Sequence, residues 1–143
     1  LAVREWLRAW ELWYVPPPGG GLLPWTGAGP LSRDVHEVWC REHGDGPWQL
    51  EVLMEEAVGG QWVYRRDSRV SRPLALLGTL VGGVPVIRPE IALLYKSRRP
   101  REHDESDLRM TLPRLDPPSR KWLRNALELT GTGPAWLALL GGS

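Results

Sequence analysis

The spacing of the apolar residues changes near Pro73, and this change restricts the chain to folds that place strands before helices. Between Val35 and Arg66, apolar and polar residues alternate, which is typical of strands with one covered face. From Pro89 onward, the apolar residues recur at helical spacing. The sequence therefore predicts an α+β fold, in which a first helix, an antiparallel β-meander and a helical tail follow one another.

The front of the chain predicts a helix that ends near Ala9 and a short strand over Glu11–Val15. A long loop rich in Pro and Gly then covers Pro16–Asp34, and loops of this length are usually functional or disordered. Because Leu22–Leu23 and Trp25 interrupt the loop with apolar side chains, we expect it to fold back over the domain.

Three further strands are each bounded by turn residues such as Gly, Pro or Asp. They are predicted over Val35–Arg41, Trp48–Glu55 and Gln61–Arg66. Because the connections between them are short, we expect neighbouring strands to pair antiparallel within one sheet.

The helical tail follows a helical turn at Leu74–Leu77 and a small hairpin around Gly82-Gly83. Its helices are predicted to begin at Pro89, near Asp104, after the N-cap residue Asp116, and at Trp136. We therefore expect a sheet part over residues 1–88 and a helical region over residues 89–143 that packs on it.

Composition excludes several classes of protein. The formal net charge is +1, whereas a general nucleic-acid binder or a membrane-surface protein needs a strong basic excess. No apolar run approaches the roughly 18 residues that cross a bilayer, and no signal-peptide pattern opens the chain. Cys40 is the single cysteine, so no internal disulfide forms and a reducing, cytoplasmic compartment is expected. No pattern in the sequence indicates the oligomeric state.

Glu51 stands out because it interrupts the apolar run Leu50–Met54 in the middle of a predicted strand. A covered carboxylate costs free energy unless it is paired, hydrated or bound to a metal. Gln49 and Glu55 lie on the same side of this strand, so an exposed sheet face is the alternative explanation.

The histidines and the cysteine do not predict a zinc site. His36 and Cys40 lie four residues apart on a predicted strand, hence roughly 13 Å from each other. Zinc–ligand bonds are only about 2.0–2.3 Å long, so these two residues cannot share one ion. A structural role for Cys40, and solvent or neighbouring hydrogen bonds for His36 and His43, are expected instead.

Lys96, Asp104 and Asp107 form a second set of candidates. Lys96 ends an apolar helix stripe, so it is either a lysine that extends to solvent or a phosphate ligand. Asp104 and Asp107 are three residues apart at a helix start and therefore share one face, where acidic residues favour the helix dipole. The arginine pairs Arg65-Arg66 and Arg98-Arg99 are either solvated charges or contacts to a triphosphate.

Six short blocks follow one another in a characteristic order between Trp48 and Leu123. They are Trp48–Glu56 (WQLEVLMEE), Trp62–Asp67 (WVYRRD), Pro89–Lys96 (PEIALLYK), Asp104–Asp107 (DESD), Leu112–Asp116 (LPRLD) and Arg120–Leu123 (RKWL). In order and spacing they resemble the aminoglycoside 2″-adenylyltransferase-like family of nucleotidyltransferases. The resemblance covers nearly the whole chain from about Val35.

The resemblance implies a nucleotidyltransferase-like mixed or antiparallel sheet followed by a C-terminal helical part. It implies transfer of a nucleoside monophosphate from ATP or another nucleoside triphosphate to a hydroxyl of a small molecule, an aminoglycoside-like antibiotic among the candidates. Two Mg²⁺ ions are expected in such a site. By resemblance, Glu51 is the third metal-binding acid and a catalytic residue, Lys96 binds the triphosphate, and Asp104 and Asp107 are supporting residues. His103 stands where the family often has lysine, which puts a phosphate role at that position in doubt.

The chain departs from the family in lacking the Asp-x-Asp pair that supplies the other two metal-binding acids. Leu1 also opens directly into an amphipathic pattern that has no capping residue before it. We therefore expect that the chain is a C-terminal portion, without the first strand or two of the sheet and the Gly-Gly motif, and inactive alone. The alternatives are a catalytically dead nucleotidyltransferase-like domain used for binding, and a plain α/β interaction domain with Glu51 exposed. The resemblance also suggests a substrate cleft walled by Trp25, Trp39 and Trp62.

Overall fold

The computed structural model describes residues 2–27 and 29–141, and at residue 2 the backbone alone. Within these ranges the chain is mixed α+β, with antiparallel sheets and five α-helices, as the sequence predicts. The chain divides into two units, one that ends at Glu55 and one that begins at Glu56. The predicted division at residue 88 falls inside the second unit. Among the described residues, no helix is long and apolar enough to cross a membrane.

The first unit contains one short helix and a four-stranded antiparallel sheet with the strand order β2-β1-β3-β4. Its elements are α1 (Ala2–Trp6), β1 (Glu11–Tyr14), β2 (Leu23–Pro24), β3 (Glu37–Arg41) and β4 (Leu50–Leu53). One face of this sheet buries Leu12, Val38 and Cys40. Trp25 from the long loop packs on this face, and its backbone N–H donates to the carbonyl of Leu12 at 2.7 Å. The prediction that the loop folds back is therefore confirmed.

The second unit begins with a three-stranded antiparallel sheet and a separate two-stranded hairpin. Its strands are β5 (Glu56–Val58), β6 (Gln61–Val63), β7 (Ser71–Pro73), β8 (Gly78–Val81) and β9 (Val84–Ile87). A single 3₁₀ turn over Leu74–Leu76 connects β7 to the hairpin.

The predicted single meander is wrong, because β4 pairs with β3 whereas β6 pairs with β5 and β7 in another sheet. Alternation of apolar residues identifies strands but does not specify their partners. Strand β1 takes the place beside β3 because Leu12 supplies a third side chain to the covered face. The Gly59-Gly60 turn, with both φ values positive, pairs β6 locally with β5 instead.

Four helices complete the second unit: α2 (Pro89–Lys96), α3 (Glu102–Thr111), α4 (Pro117–Thr130) and α5 (Pro134–Gly141). Pro89 is the first residue of α2, as predicted. Asp116 caps α4, since its Oδ1 accepts a hydrogen bond from the backbone N–H of Ser119 at 2.7 Å. The helices pack around a buried core that includes Trp62, Leu94, Leu108, Leu123 and Trp136.

Candidate functional site

Glu51 lies in β4 with its side chain on the sheet face opposite the buried Leu12, Val38 and Cys40. We call this second side the open face, defined by Trp13, Glu37, Trp39, Arg41 and Glu51. In the strand register, Trp39 stands between Trp13 on one neighbouring strand and Glu51 on the other. Glu51 is exposed, so a ligand can reach its carboxylate from solvent.

The electrostatic environment of Glu51 disfavours its negative charge. Partial burial and the nearby carboxylate of Glu37 both raise the pKa of Glu51 above its ordinary value. A cation held near both carboxylates would relieve this repulsion, and carboxylate oxygens are the ligands that Mg²⁺ prefers. In the part of the chain that the structure describes, no group of three or more acids, histidines or cysteines could hold a metal ion. The donor chemistry therefore fits Mg²⁺, but further acids would have to complete the set.

An aromatic cluster lies beside Glu51 on the open face. The ring of Trp48 makes edge contacts with Trp13 and Trp39, with centroid distances of 6.1 and 6.3 Å. The guanidinium of Arg41 lies 4.5 Å from the Trp48 ring centroid, and its Nε donates to Glu11 at 3.0 Å. These contacts order the side chains next to Glu51. Trp13 and Trp39 alternate along their strands with the buried Leu12, Val38 and Cys40, and this alternation is the sequence signal that could have identified the open face.

Lys96, Asp104 and Asp107 are brought together where the end of α2 meets α3. Lys96 Nζ donates a short hydrogen bond to Asp107 Oδ2 and lies 3.2 Å from Asp104 Oδ1. Asp104 is buried, and its Oδ2 accepts from the backbone N–H and the Nε of Arg101, at 3.0 and 3.1 Å. His103 Nε2 lies 3.3 Å from the other oxygen, Oδ1.

These contacts shift two pKa values in opposite directions. The backbone N–H of Arg101 is the largest contribution that lowers the pKa of Asp104, and the side chains of Arg101 and Lys96 lower it further against the effect of burial. The hydrogen bond to Asp107 contributes most to raising the pKa of Lys96. Both groups are therefore charged at neutral pH.

Two of the three N–H donors of Lys96 face the described carboxylates of Asp104 and Asp107. The side chain of Lys96 remains about one-third accessible, with a relative exposure of 32%. The third donor can therefore reach an oxygen of a bound anion. The same contacts equally serve to hold α2 against α3, so the phosphate role and the structural role are compatible.

Glu51 belongs to the first unit, whereas Lys96, Asp104 and Asp107 belong to the second. The structure therefore brings the three second-unit candidates together and describes Glu51 within the first unit.

Other predicted positions have different surroundings. Cys40 is buried, its S–H contacts the carbonyl of Val38 at 3.7 Å, and burial raises the pKa of its thiol, which fits the expected structural role. Trp62 has a relative exposure of 1% in the core of the second unit, so its predicted place in a cleft wall is wrong. Arg66 covers the ring of Tyr95, with its guanidinium 5.2 Å from the ring centroid.

A buried ionic cluster around Glu90 was not predicted. Glu90 Oε1 accepts hydrogen bonds from Arg72 at 2.6 Å, Arg88 at 2.9 Å and the hydroxyl of Ser119 at 3.1 Å. Burial opposes the charge of this carboxylate, but the hydrogen bonds outweigh it and lower the pKa of Glu90. Acidic residues are common in the first turn of a helix, so the position of Glu90 next to Pro89 does not by itself indicate burial.

The ion pairs of Lys96 should stabilise the second unit across neutral pH and fail at both extremes. Asp104 has a lowered pKa, so its contribution is complete above its ordinary value of 3.8 and is lost as pH falls through the lower folded value. Lys96 has a raised pKa, so its contribution is complete below 10.5 and is lost as pH rises through the higher folded value. In the wild-type chain, the thermal midpoint of unfolding should fall as pH rises from neutral to about 11. We expect this fall to be smaller in Lys96→Met, and thermal unfolding across the same pH range measures it.

The matched control is Lys121→Met, which removes the exposed lysine on α4. In this variant the thermal midpoint should fall at high pH by as much as in the wild-type chain. If the midpoint falls equally at high pH in both variants, the contacts of Lys96 do not contribute to the stability of the second unit.

Comparison with known proteins identifies no relative of this chain. No protein-family model matches it, and neither a curated protein nor a solved structure matches it.

Proposed function

We propose that this chain carries part of a metal-dependent nucleotidyltransferase. The reaction transfers a nucleoside monophosphate from ATP or another nucleoside triphosphate to a hydroxyl of a small molecule, with aminoglycoside-like antibiotics as one acceptor class. The observation that carries the proposal is the exposed carboxylate of Glu51 on the open face, close enough to Glu37 for that carboxylate to raise its pKa. Two like charges held on one accessible face favour a divalent cation and its bound phosphates.

In this reaction the acceptor oxygen attacks the α-phosphorus, and the bond from that phosphorus to the pyrophosphate oxygen breaks. Bound divalent ions supply charge stabilisation for the attacking and leaving oxygens. Glu51 has two roles consistent with its position: its carboxylate holds a metal ion, and it accepts the proton of the acceptor hydroxyl.

Lys96 is proposed to bind the triphosphate through the donor that Asp104 and Asp107 leave accessible. The two carboxylates keep its ammonium charged and limit its movement. A positioned lysine binds phosphate as a point charge, without the paired geometry that arginine offers. Asp104 and Asp107 are positioning residues in this proposal, since they act on the nucleotide only through Lys96.

The test is Mg²⁺-dependent ATP binding, measured by calorimetry on the longest polypeptide that the reading frame of this chain encodes. Any Asp-x-Asp strand is then present. We expect Glu51→Gln to weaken binding by at least tenfold, about 1.4 kcal/mol, because a neutral amide is a poor metal ligand. Binding measured with EDTA in place of Mg²⁺ should be equally weak in the wild type and in this variant.

The matched control is Glu42→Gln, an exposed Glu-to-Gln change in the same unit. It should leave ATP binding unchanged, whereas Lys96→Met should weaken it with or without Mg²⁺. Unchanged binding in both the Glu51 and the Lys96 variants would contradict the site.

One observation favours a second candidate, a nucleotidyltransferase-like domain that binds a partner without catalysis. The engagement of Lys96 by two carboxylates is sufficient to explain that residue structurally. The reading frame distinguishes the candidates. A Gly-Gly motif and an Asp-x-Asp strand ahead of Leu1 favour the enzyme, and an intact frame that lacks both acids favours the binding domain.

A further inference from the structure

The hairpin formed by β8 and β9 is the most exposed apolar segment among the described residues. Its two strands pair with each other and with no further strand of the described chain, and all eight of their residues are exposed. Leu80 has a relative exposure of 70%, and Val81, Val84 and Ile87 each exceed one half. An isolated two-stranded hairpin is only marginally stable in water, and exposed apolar patches usually mark an interaction surface.

The base of the hairpin is fixed to the rest of the second unit. The backbone N–H of Arg88 donates to the carbonyl of Leu77 at 2.8 Å, which extends the ladder by one pair. Arg88 also donates from its Nε to the buried carboxylate of Glu90. The hairpin therefore projects from an ordered base, and its orientation within the second unit is set.

The register shows which edge of the hairpin can pair with another strand. Gly82 and Gly83 have φ values of 58° and 83°, which match the two-residue turn that joins hydrogen-bonded residues Val81 and Val84. Hydrogen-bonded and non-hydrogen-bonded pairs alternate, so Leu80 opposite Pro85 is a non-hydrogen-bonded pair.

Residues of a non-hydrogen-bonded pair direct their backbone groups outward. On β9 the outward positions are Pro85 and Ile87, and because Pro85 has no N–H, this edge lacks one of its two outward donors. On β8 the outward positions are Gly78 and Leu80, and both have a donor and an acceptor. Strand β8 therefore has both of its outward donors and is the more complete edge for another strand.

We propose that β8 is the pairing edge of a symmetric dimer, in which β8 of a second copy adds antiparallel to it. No charged residue occurs from Pro73 to Ile87, so two identical copies meet there without charge repulsion. An antiparallel pair of identical strands satisfies a two-fold axis, which is the commonest symmetry of soluble oligomers. This proposal is independent of the proposed enzymatic activity.

The outward groups fix the register of the dimer. With Thr79 on the two-fold axis, Gly78 of each copy faces Leu80 of the other, and each such pair exchanges two backbone hydrogen bonds. The two hairpins then form one four-stranded sheet with the blunted β9 strands at its edges. Leu80 of one copy lies diagonal to Leu80 of the other on the same face, within reach of side-chain contact.

The test compares the dimer dissociation constant of the full chain with that of Leu80→Pro, by sedimentation equilibrium from low-micromolar to near-millimolar concentration. This change removes one of the two outward donors of β8 in each copy and leaves the internal ladder of the hairpin, which does not use it. We expect the dissociation constant to rise at least tenfold. Leu80→Val, which keeps the donor and an apolar side chain, should change it by less than about threefold.

A second variant tests the same edge without introducing a proline, which could disturb the fold. Leu80→Lys keeps the backbone donor and places two like charges diagonally across the axis, so it should also weaken the dimer at least tenfold. Helical circular dichroism should be unchanged in every variant.

Hydrogen exchange shows which backbone amides become protected when the dimer forms. The amides of Gly78 and Leu80 should gain protection as concentration rises. A chain that stays monomeric throughout, or amides protected equally at all concentrations, would overturn the proposal, because another part of the same chain would then cover β8. A dimer that the Pro and Lys variants leave intact would also overturn it, because the contact would lie elsewhere.

Discussion

Replacing Glu90 with leucine is expected to destabilise the second unit by about 3–5 kcal/mol, because it leaves a buried charge without its partner. Glu90 has a side-chain exposure of 1%, and its carboxylate accepts from Arg72, Arg88 and Ser119. Arg72 is itself largely buried, with its guanidinium 5.0 Å from the ring centroid of Trp122. Without Glu90, this guanidinium keeps its charge and has lost its carboxylate.

This destabilisation should be a large part of the total free energy of unfolding, because domains are stabilised by only about 5–15 kcal/mol. Urea unfolding followed by helical circular dichroism measures it, because helices α2–α5 all lie in the second unit. The control is Glu128→Leu, which removes the half-exposed partner of Arg124 one helical turn away. Surface pairs of this kind contribute only about 0.3–0.5 kcal/mol. Equal losses in the two variants would show that the Glu90 cluster is not a buried ion pair in solution.

Acid should have a related effect on the wild-type chain. The pKa of Glu90 is lowered, so its contribution is complete above its ordinary value of 4.5 and is lost as pH falls through the lower folded value. In Glu90→Gln this part of the acid sensitivity should be absent, although the variant is less stable at neutral pH.

The sequence was sufficient to predict the helices, the hairpin and strands β1, β3, β4 and β6, but it missed the short strands β2, β5 and β7 and could not pair the strands. Alternation around Val38 and Val52 identifies β3 and β4 and says nothing about their partners, so the place of β1 beside β3 was missed. The hairpin at Gly82-Gly83 was predicted correctly, because adjacent glycines with positive φ are a local signal. Its exposure was not predicted, because aliphatic residues such as Leu80 and Val84 look the same in a covered strand.

For the candidate site too, the sequence identified individual residues but not the contacts that tertiary packing creates. Glu51 was identifiable because a carboxylate interrupts an apolar run, but Leu50 and Leu53 are exposed too, so this pattern could not show which face is covered. The spacing of Asp104 and Asp107 placed both on one face, whereas their contacts with Lys96 depend on how α3 packs against α2. Glu90 had no sequence signal, because Arg72 and Ser119 reach it only through tertiary packing.

Replacing Trp62 with alanine should destabilise the second unit by about 3–5 kcal/mol, through the cavity that the indole leaves. The ring of Trp62 contacts Tyr64, Tyr95 and Trp122, with centroid distances of 5.9, 6.4 and 6.5 Å. It therefore joins strand β6 to helices α2 and α4, and one substitution removes contacts to both helices.

The same substitution at Trp6 is the control, because that side chain is 81% exposed on α1. Trp6→Ala should change the free energy of unfolding by no more than about 0.5 kcal/mol. For Trp62→Ala the thermal midpoint should fall by at least roughly 12 °C, since 1 kcal/mol shifts the midpoint of a unit of this size by about 4–8 °C. Unfolding is followed by helical circular dichroism, because the substitution also removes a fluorophore. Trp62→Phe should recover part of the loss, because it refills part of the cavity. An equal, small effect at both tryptophans would mean that β6 does not pack on the helices in solution, and Lys96, which follows Tyr95 on α2, would then lose the support on which its proposed phosphate role depends.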